Sequence, residues 1–228
     1  MIRSWFVTGT DTGVGKTFAS VALLHALAAR GLAATGMKPV ASGCARTGEG
    51  WRNDDALALQ AASPLRPAYA DVNPYALPAA TAPQLAAREA GINVDLAGVL
   101  QAYARLAAGA EAMVVEGAGG WAAPMADGLE QSQVALAVGG QVVLVVGLRL
   151  GCLSHARLSA RAIDGDGCRL VGWIGNRIDP GFERVDDYLA LLGDALPAPC
   201  LGVLAHSPGD DGAAAGRALD LAPLLAAG

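Results

Sequence analysis

An α/β fold, with a mostly parallel sheet and helices on both faces, is predicted by three observations. Short apolar runs alternate with amphipathic or Ala-rich stretches along the chain, the pattern of successive β-α-β units. The run VVLVV at residues 142–146 has no period-two alternation, as expected of a strand buried on both sides. The segment VTGTDTGVGKT, residues 7–17, joins an apolar strand to an Ala/Leu-rich stretch through a glycine-containing loop. With 228 residues, 53% of them apolar, the chain is long enough for one domain of this kind, expected to span 1–228.

The first strand is expected at 5–8 and the first helix at 16–29, which places the loop between them at a helix N-terminus. There Gly13 and Gly15 can adopt backbone angles closed to other residues, turning successive N–H groups toward an anion, with the positive end of the helix dipole behind them. Lys16 adds a mobile charge for the outer phosphates of a nucleotide, and the Thr17 hydroxyl can ligate a magnesium ion that bridges them. The spacing is a variant, because Gly9 precedes Gly15 by five intervening residues and Thr10 stands at the usual first-glycine position. Glycines alone would also serve a plain strand-to-helix turn. The strand, double glycine and helix in register are what point to phosphate binding.

A second strand at 35–38 runs into Met37-Lys38-Pro39-Val40-Ala41-Ser42-Gly43, which sets Lys38 and Ser42 at a strand end while Pro39 bars an immediate helix. A lysine there can neutralise a reacting anion or simply be solvated. The helix expected at 54–61 opens with Arg52-Asn53-Asp54-Asp55, where Asn53 or Asp54 is a natural N-cap; Asp54 is the cap candidate and Asp55 the metal candidate. Residues 64–83 read as a long irregular insertion whose Tyr69 and Tyr75 can pack, with no role derivable. After an Ala-rich helix at 96–108, the third strand, 112–116, ends in Glu116 and is followed by Gly117-Ala118-Gly119-Gly120. A carboxylate at a strand end beside a phosphate loop is the usual companion of magnesium, and the glycines let backbone N–H groups approach a substrate. Helices at 131–138 and 154–163 lead to strands at 142–146 and 170–174, the latter continuing to Asn176, whose amide can donate and accept along the edge of a base. A helix at 183–192 and a strand at 200–203 complete the series.

Composition excludes several classes of function. The net charge is −5, from 16 basic and 21 acidic residues, and no stretch concentrates Lys or Arg, so neither nucleic acid nor an anionic membrane is expected as a partner. Met1-Ile-Arg leads directly into the first strand and no apolar run approaches membrane-spanning length, so a cytoplasmic location is expected. Cys44, Cys152, Cys168 and Cys200 form no Cys-x-x-Cys pair and read as reduced thiols. His25, His155 and His206 lack metal-ligand spacing with one another.

Seven separated segments, VTGTDTGVGKT, GMKPVASG, RNDDALALQ, VNPY, VVEGAGGW, VVGLRLGC and GWIGNRI, occur in this order between residue 7 and residue 178. Together they resemble the dethiobiotin synthetase family, whose fold is akin to other P-loop proteins of the partition-ATPase and nitrogenase-iron-protein group. The resemblance implies a dimeric, ATP- and Mg2+-dependent carboxylase and cyclo-ligase that converts 7,8-diaminononanoate and CO2 to dethiobiotin, releasing ADP and phosphate. It implies roles for residues at matching positions. Lys38 would hold a carbamate, Lys16 would bridge carbamate and γ-phosphate, and Thr12 and Ser42 would orient substrate. Thr17, Asp55 and Glu116 match the magnesium ligands. Gly13, Val14, Gly15, Lys16, Thr17 and Phe18 would hold the phosphates; Glu116, Gly117, Ala118 and Gly119 would lie against the nucleotide. Asn176 and Arg177 match a base-contacting segment, and Ala205, His206 and Ser207 occupy a region that elsewhere adds to the base pocket, with a different composition. Gly151, Cys152 and Tyr188 match the region through which a neighbouring subunit receives the substrate carboxylate, and Ser154 stands where other members can carry Asn. Gly13 replaces an acidic residue found in some members. Two rival readings are a partition-type ATPase switch, which would need a lysine where Asp11 stands, and a small-molecule kinase.

Overall fold

The computed structural model describes residues 2–206 and 212–226. The apolar runs become a sheet because each can bury both of its faces. Six strands, β1 (Arg3–Gly9), β2 (Ala34–Met37), β7 (Ala112–Gly120), β10 (Gln141–Gly147), β11 (Arg169–Asn176) and β12 (Cys200–Leu204), lie in the order β12-β11-β10-β1-β7-β2. Every adjacent pair is parallel. All six match the expected strands. β10 explains its own lack of alternation: Val143 and Val145 join one apolar cluster, while Leu144 and Val146 join a second one with Cys152, Ala156 and Trp173.

Parallel strands need long crossovers, and helices supply them. The connections carry α1 (Lys16–Ala28), α2 (Asp54–Ala62), α3 (Tyr69–Val72), α4 (Pro83–Ala90), α5 (Leu96–Ala107), α6 (Gln131–Ala137), α7 (Cys152–Gly165), α8 (Val185–Ala195), α9 (Gly212–Arg217) and α10 (Ala222–Ala226). Three two-stranded pairs decorate the loops: β3 (Val40–Ala41) with β6 (Tyr75–Ala76), β4 (Ala45–Thr47) with β5 (Gly50–Arg52), and β8 (Pro124–Ala126) with β9 (Leu129–Glu130). Helix α1 buries Leu23, Leu24 and Leu27 beneath the sheet, each such side chain contributing about 1.5–3 kcal/mol relative to exposure. No helix among the described residues is long and apolar enough to cross a membrane.

Three expectations need correction. The cap of α2 is Asn53 rather than Asp54: the Asn53 backbone is extended and its side chain accepts from the Ala56 N–H at 3.2 Å, which frees both aspartates for the first turn. The insertion 64–83 is only partly irregular, since it contains α3 and pairs through β6 with β3. Its Tyr69 and Tyr75 pack against the main core. Helix α7 begins at Cys152, two residues earlier than expected, because Gly151 takes the left-handed angle (φ 94°) that lets the chain turn into it.

The chain reaches its switch point at β1. From there it runs outward to β2 on one side, returns through β7, and then continues through β10, β11 and β12 on the other. The loop leaving β1 therefore opens at the crevice between β7 and β10, the place where ligands bind in open parallel sheets. Replacement of the cap in Asn53→Ala is expected to lower stability by about 1 kcal/mol, measured as a lower midpoint at unchanged slope in urea unfolding.

Candidate active site

The loop after β1 is held by its own hydrogen bonds. Thr10 N–H donates to Val145 O at 3.0 Å, and Asp11 Oδ1 accepts from Thr12 N–H at 2.7 Å. Gly13 (φ 74°) and Gly15 (φ 83°) both lie in the left-handed region, and Gly15 caps α1 without a side-chain bond. Ala19 N–H makes the first helical bond, to Gly15 O at 3.0 Å, so the N–H groups of Lys16, Thr17 and Phe18 have no acceptor within the helix and are directed at the loop's concavity. The Phe18 side chain turns away to pack on the core.

Three segments bring charge to this loop. Lys38 follows β2, Asp55 lies in the first turn of α2, and Glu116 lies within β7. Lys38 is 4% exposed, and its Nζ donates to Glu116 Oε1 (2.6 Å), Asp55 Oδ2 (3.0 Å) and Gly117 O (3.2 Å), which uses all three of its protons. Burial pulls the Lys38 ammonium down, but the Glu116 and Asp55 carboxylates outweigh it and hold the pKa above the ordinary lysine value. Burial acts on Asp55 in the opposite sense, and Lys38 overcomes it, keeping the carboxyl below its usual range. Thr17 Oγ1 donates to Glu116 Oε1 at 3.0 Å.

A network reaching into the insertion supports Lys38 from behind. Lys38 N–H donates to Val72 O at 2.8 Å, and Asn73 Nδ2 donates to Lys38 O at 2.7 Å. The Tyr69 hydroxyl donates to Asn73 Oδ1 at 3.0 Å and accepts from the Asn53 N–H at 2.8 Å. Tyr69 and Asn73 thus connect the lysine's backbone to the cap of the helix that carries Asp55. From the sequence Tyr69 is expected only to pack, and Asn73 is marked only as part of the VNPY segment, so neither supporting role is legible there.

The cleft so formed holds about 440 Å³ and is lined by Thr12, Lys16, Thr17, Lys38, Ser42 and Asp55, with Gly13, Gly15, Ala41, Asn53, Ala118 and Gly119 completing the wall. Lys16 is 7% exposed and donates to Asp11 O at 3.2 Å. Burial, then repulsion from Lys38, lowers its pKa to about 8. At the other end of the loop, Asn176 Nδ2 donates to Val14 O at 3.0 Å, so this amide props the phosphate loop rather than standing free. Arg177 contributes its backbone, donating to Leu204 O at 3.0 Å and accepting from or facing His206 Nδ1 at 3.1 Å. Ala205 and His206 are exposed beside β12, and Ser207 lies outside the described residues. Gly151, Cys152 and Ser154 sit at the start of α7, apart from the cleft. Tyr188 shares the second apolar cluster with Cys152 and meets Phe182 edge-on at 4.8 Å.

The oxygens of Thr17, Asp55 and Glu116 suit a hard divalent cation, and Glu116 Oε2 is buried without a hydrogen-bond partner, the kind of atom a cation would satisfy. No group of three or more His, Cys, Asp or Glu side chains is arranged for a metal among the described residues, so the candidate set is this mixed one.

A parallel sheet whose first strand feeds a glycine-bearing loop onto a helix N-terminus, with a lysine and a hydroxyl next in sequence, defines a P-loop nucleotide-binding protein. The solved structures agree on the fold. The septum site-determining protein MinD from Pyrococcus horikoshii OT3, complexed with Mg-ADP, superposes with a TM-score of 0.54 at 17% identity, covering 95% of this chain and 86% of that one. A chain of the MinC:MinD cell division protein complex from Aquifex aeolicus gives a TM-score of 0.57 at 18% identity, covering 93% of this chain and 86% of that one. A family model described as an AAA domain matches residues 3–209. Among curated relatives, the ATP-dependent dethiobiotin synthetase BioD of Xanthomonas oryzae pv. oryzae (strain PXO99A) is 56% identical over 218 residues, 96% of this chain and 97% of the relative. The protein of the same name from Xylella fastidiosa (strain 9a5c) is 56% identical over 207 residues, 91% and 92% of the two chains. The chain belongs to the ATP-dependent dethiobiotin synthetase family and is an enzyme of the cyclo-ligase type.

The lowered pKa of Lys16 has a sign that can be checked. A phosphate set against Lys16 would hold it charged, so above about pH 8 binding would take up a proton. ADP affinity is expected to be flat below that pH and to fall by up to about tenfold per unit above it, read by calorimetry. An affinity independent of pH through that range would overturn the placement of Lys16 against the phosphates.

Proposed function

We propose that the chain catalyses the ATP-dependent carboxylation and ring closure of 7,8-diaminononanoate with CO2, giving dethiobiotin, ADP and phosphate. One amine adds to CO2 and loses a proton, forming a carbamate. A carbamate oxygen attacks the γ-phosphorus as ADP leaves, giving a carbamoyl-phosphate anhydride. The second amine then attacks the carbonyl carbon and loses a proton, phosphate departs, and a five-membered urea closes. The observation that carries this reading is the pair of buried lysines, Lys16 and Lys38, facing one cleft with the phosphate loop.

The difficulty of the reaction is charge, since a carbamate anion must approach a polyanionic triphosphate in a site partly screened from water. Lys16 and the N–H groups at the start of α1 oppose the phosphate charge. Lys38 meets the carbamate after releasing part of its hold on the carboxylates. Thr12 and Ser42 orient the diamine, and the backbone from Gly117 to Gly119 lies along the nucleotide. Magnesium held by Thr17, Asp55 and Glu116 would supply additional positive charge against the phosphates. Asn176, Arg177 and the segment from Ala205 fall to the base. A homodimer, with Gly151, Cys152, Ser154 and Tyr188 of one subunit serving the substrate carboxylate of the other, belongs to the same reading, as do a single catalytic unit and a cytoplasmic location.

A partition-type switch is disfavoured by Asp11, whose carboxylate is engaged by Arg149 at 2.6 Å where that class would need a lysine. A kinase would leave a stable phosphorylated product. The test is phosphate release from ATP with and without the diamine, in bicarbonate-supplied and CO2-depleted buffer, with mass spectrometry of the product. Release that requires both, with a cyclic urea formed, is expected; release indifferent to both would overturn the proposal. Lys16→Ala and Lys38→Ala are each expected to lower turnover by about a hundredfold, the scale for removing a direct stabiliser of developing charge. Near-normal turnover in both would refute these roles.

A further inference from the structure

The register of β7 against β1 changes where the cleft begins. Val7 lies opposite Glu116 but Gly9 lies opposite Gly120, so Thr8 is faced by a bulge at residues 117–119. A bulge strips backbone groups of their ladder partners, and where they are buried other partners must be found. Here one side chain supplies them. Gln131, the first residue of α6, is fully buried. Its Oε1 accepts from the Ala118 N–H at 3.0 Å, and its Nε2 donates to Ala118 O at 2.9 Å and Gly120 O at 2.5 Å. The carbonyls of Trp121 and Ala123 stand farther off, at 3.3 and 3.4 Å. An amide nitrogen has two hydrogens, and the two short contacts use both. A reversed amide would set its nitrogen against an N–H and its oxygen against carbonyls, so the surroundings impose one orientation. The absence of a side chain at Gly117 is part of the fit, because a Cβ there would run into Gln131 Oε1 and come within 3.0 Å of the Phe6 ring.

The clamped bulge is a wall of the site. Gly117 O accepts a hydrogen bond from Lys38 Nζ, Glu116 directly precedes it, and Ala118 and Gly119 line the cleft. The Gln131 side chain bonds to Ala118 in this wall and to Gly120 just after it, and the phosphate loop is held by other residues. We infer that Gln131 is a positioning residue of the ligase reaction: its side-chain amide holds the bulge that sets Lys38 and Glu116 in place, while nucleotide affinity rests chiefly on residues 13–17 and only in small part on the backbone of the bulge. This inference rests on the ligase reading above.

The test compares the full chain with Gln131→Met, which keeps length and volume but removes the hydrogen bonds. In the variant, kcat is expected to fall at least about tenfold, the scale of a small misplacement at a reacting centre, with ADP affinity by calorimetry unchanged within about threefold. Unchanged kcat, or a kcat and an ADP affinity that fall together, would overturn the positioning role. Amide hydrogen exchange on the unmodified protein judges the clamp even where the variant fails to fold. Ala118 is expected to exchange slowly, and exchange as fast as an exposed loop would refute the clamp. If the unmodified protein forms no cyclic urea, the ligase reading fails, whereas exchange and ADP binding still report on Gln131.

Discussion

The site depends on one ion pair. Glu116 is fully buried within β7, and a carboxylate there is tolerable only because the Lys38 ammonium stands 2.6 Å away. That contact spans 78 residues of sequence, and Asp55 and Thr17 join it from two further elements. Strands β2 and β7 and helices α1 and α2 are thus pinned at one point by charge as well as by apolar packing. Removing either partner would strand the other, the condition in which a buried pair matters most. The arrangement also fixes a buried cation in the wall of the cleft that carries the phosphate loop.

The supporting residues are graded in burial. Lys38 and Glu116 are enclosed, whereas the Asp55 side chain is 43% exposed at the mouth of the cleft. Screening by water therefore weakens the Lys38–Asp55 contact relative to the Lys38–Glu116 one. Of the two carboxylates, Asp55 is the one whose bond to the lysine costs less to exchange. Arg149 and Asp11 form a similarly half-exposed pair, joining the turn before α7 to the phosphate loop.

Much of this was legible in the sequence, for physical reasons. Six strands could be read because a strand buried on both faces leaves a continuous apolar run, as in the VVLVV of β10. The phosphate loop could be read because its glycines, lysine and threonine are contiguous and each has a backbone or charge requirement. The chemistry of Gln131 could not be read, since its partners exist only once β7 and β1 have a register, and nothing in Glu130-Gln131-Ser132 discloses a bulge thirteen residues earlier. Tyr69 and Asn73 act through a cap and a carbonyl, again long-range. The choice between Asn53 and Asp54 as cap turned on one residue of helix phase, finer than periodicity resolves in a stretch as short as α2.

The central position of β1 has a consequence for how the chain is made. β1, the first of the six sheet strands in chain order, is flanked in the finished sheet by β7 and β10, whose residues start at 112 and 141. Until residue 112 has been made, Trp5, Phe6 and Val7 therefore have neither sheet neighbour, although all three end fully covered. Parallel pairing of this kind is slow because distant segments must meet before any contact rewards the loop closure. The nascent protein accordingly carries its phosphate loop early but without a frame, and its apolar leading strand is the segment that folding helpers would need to shield.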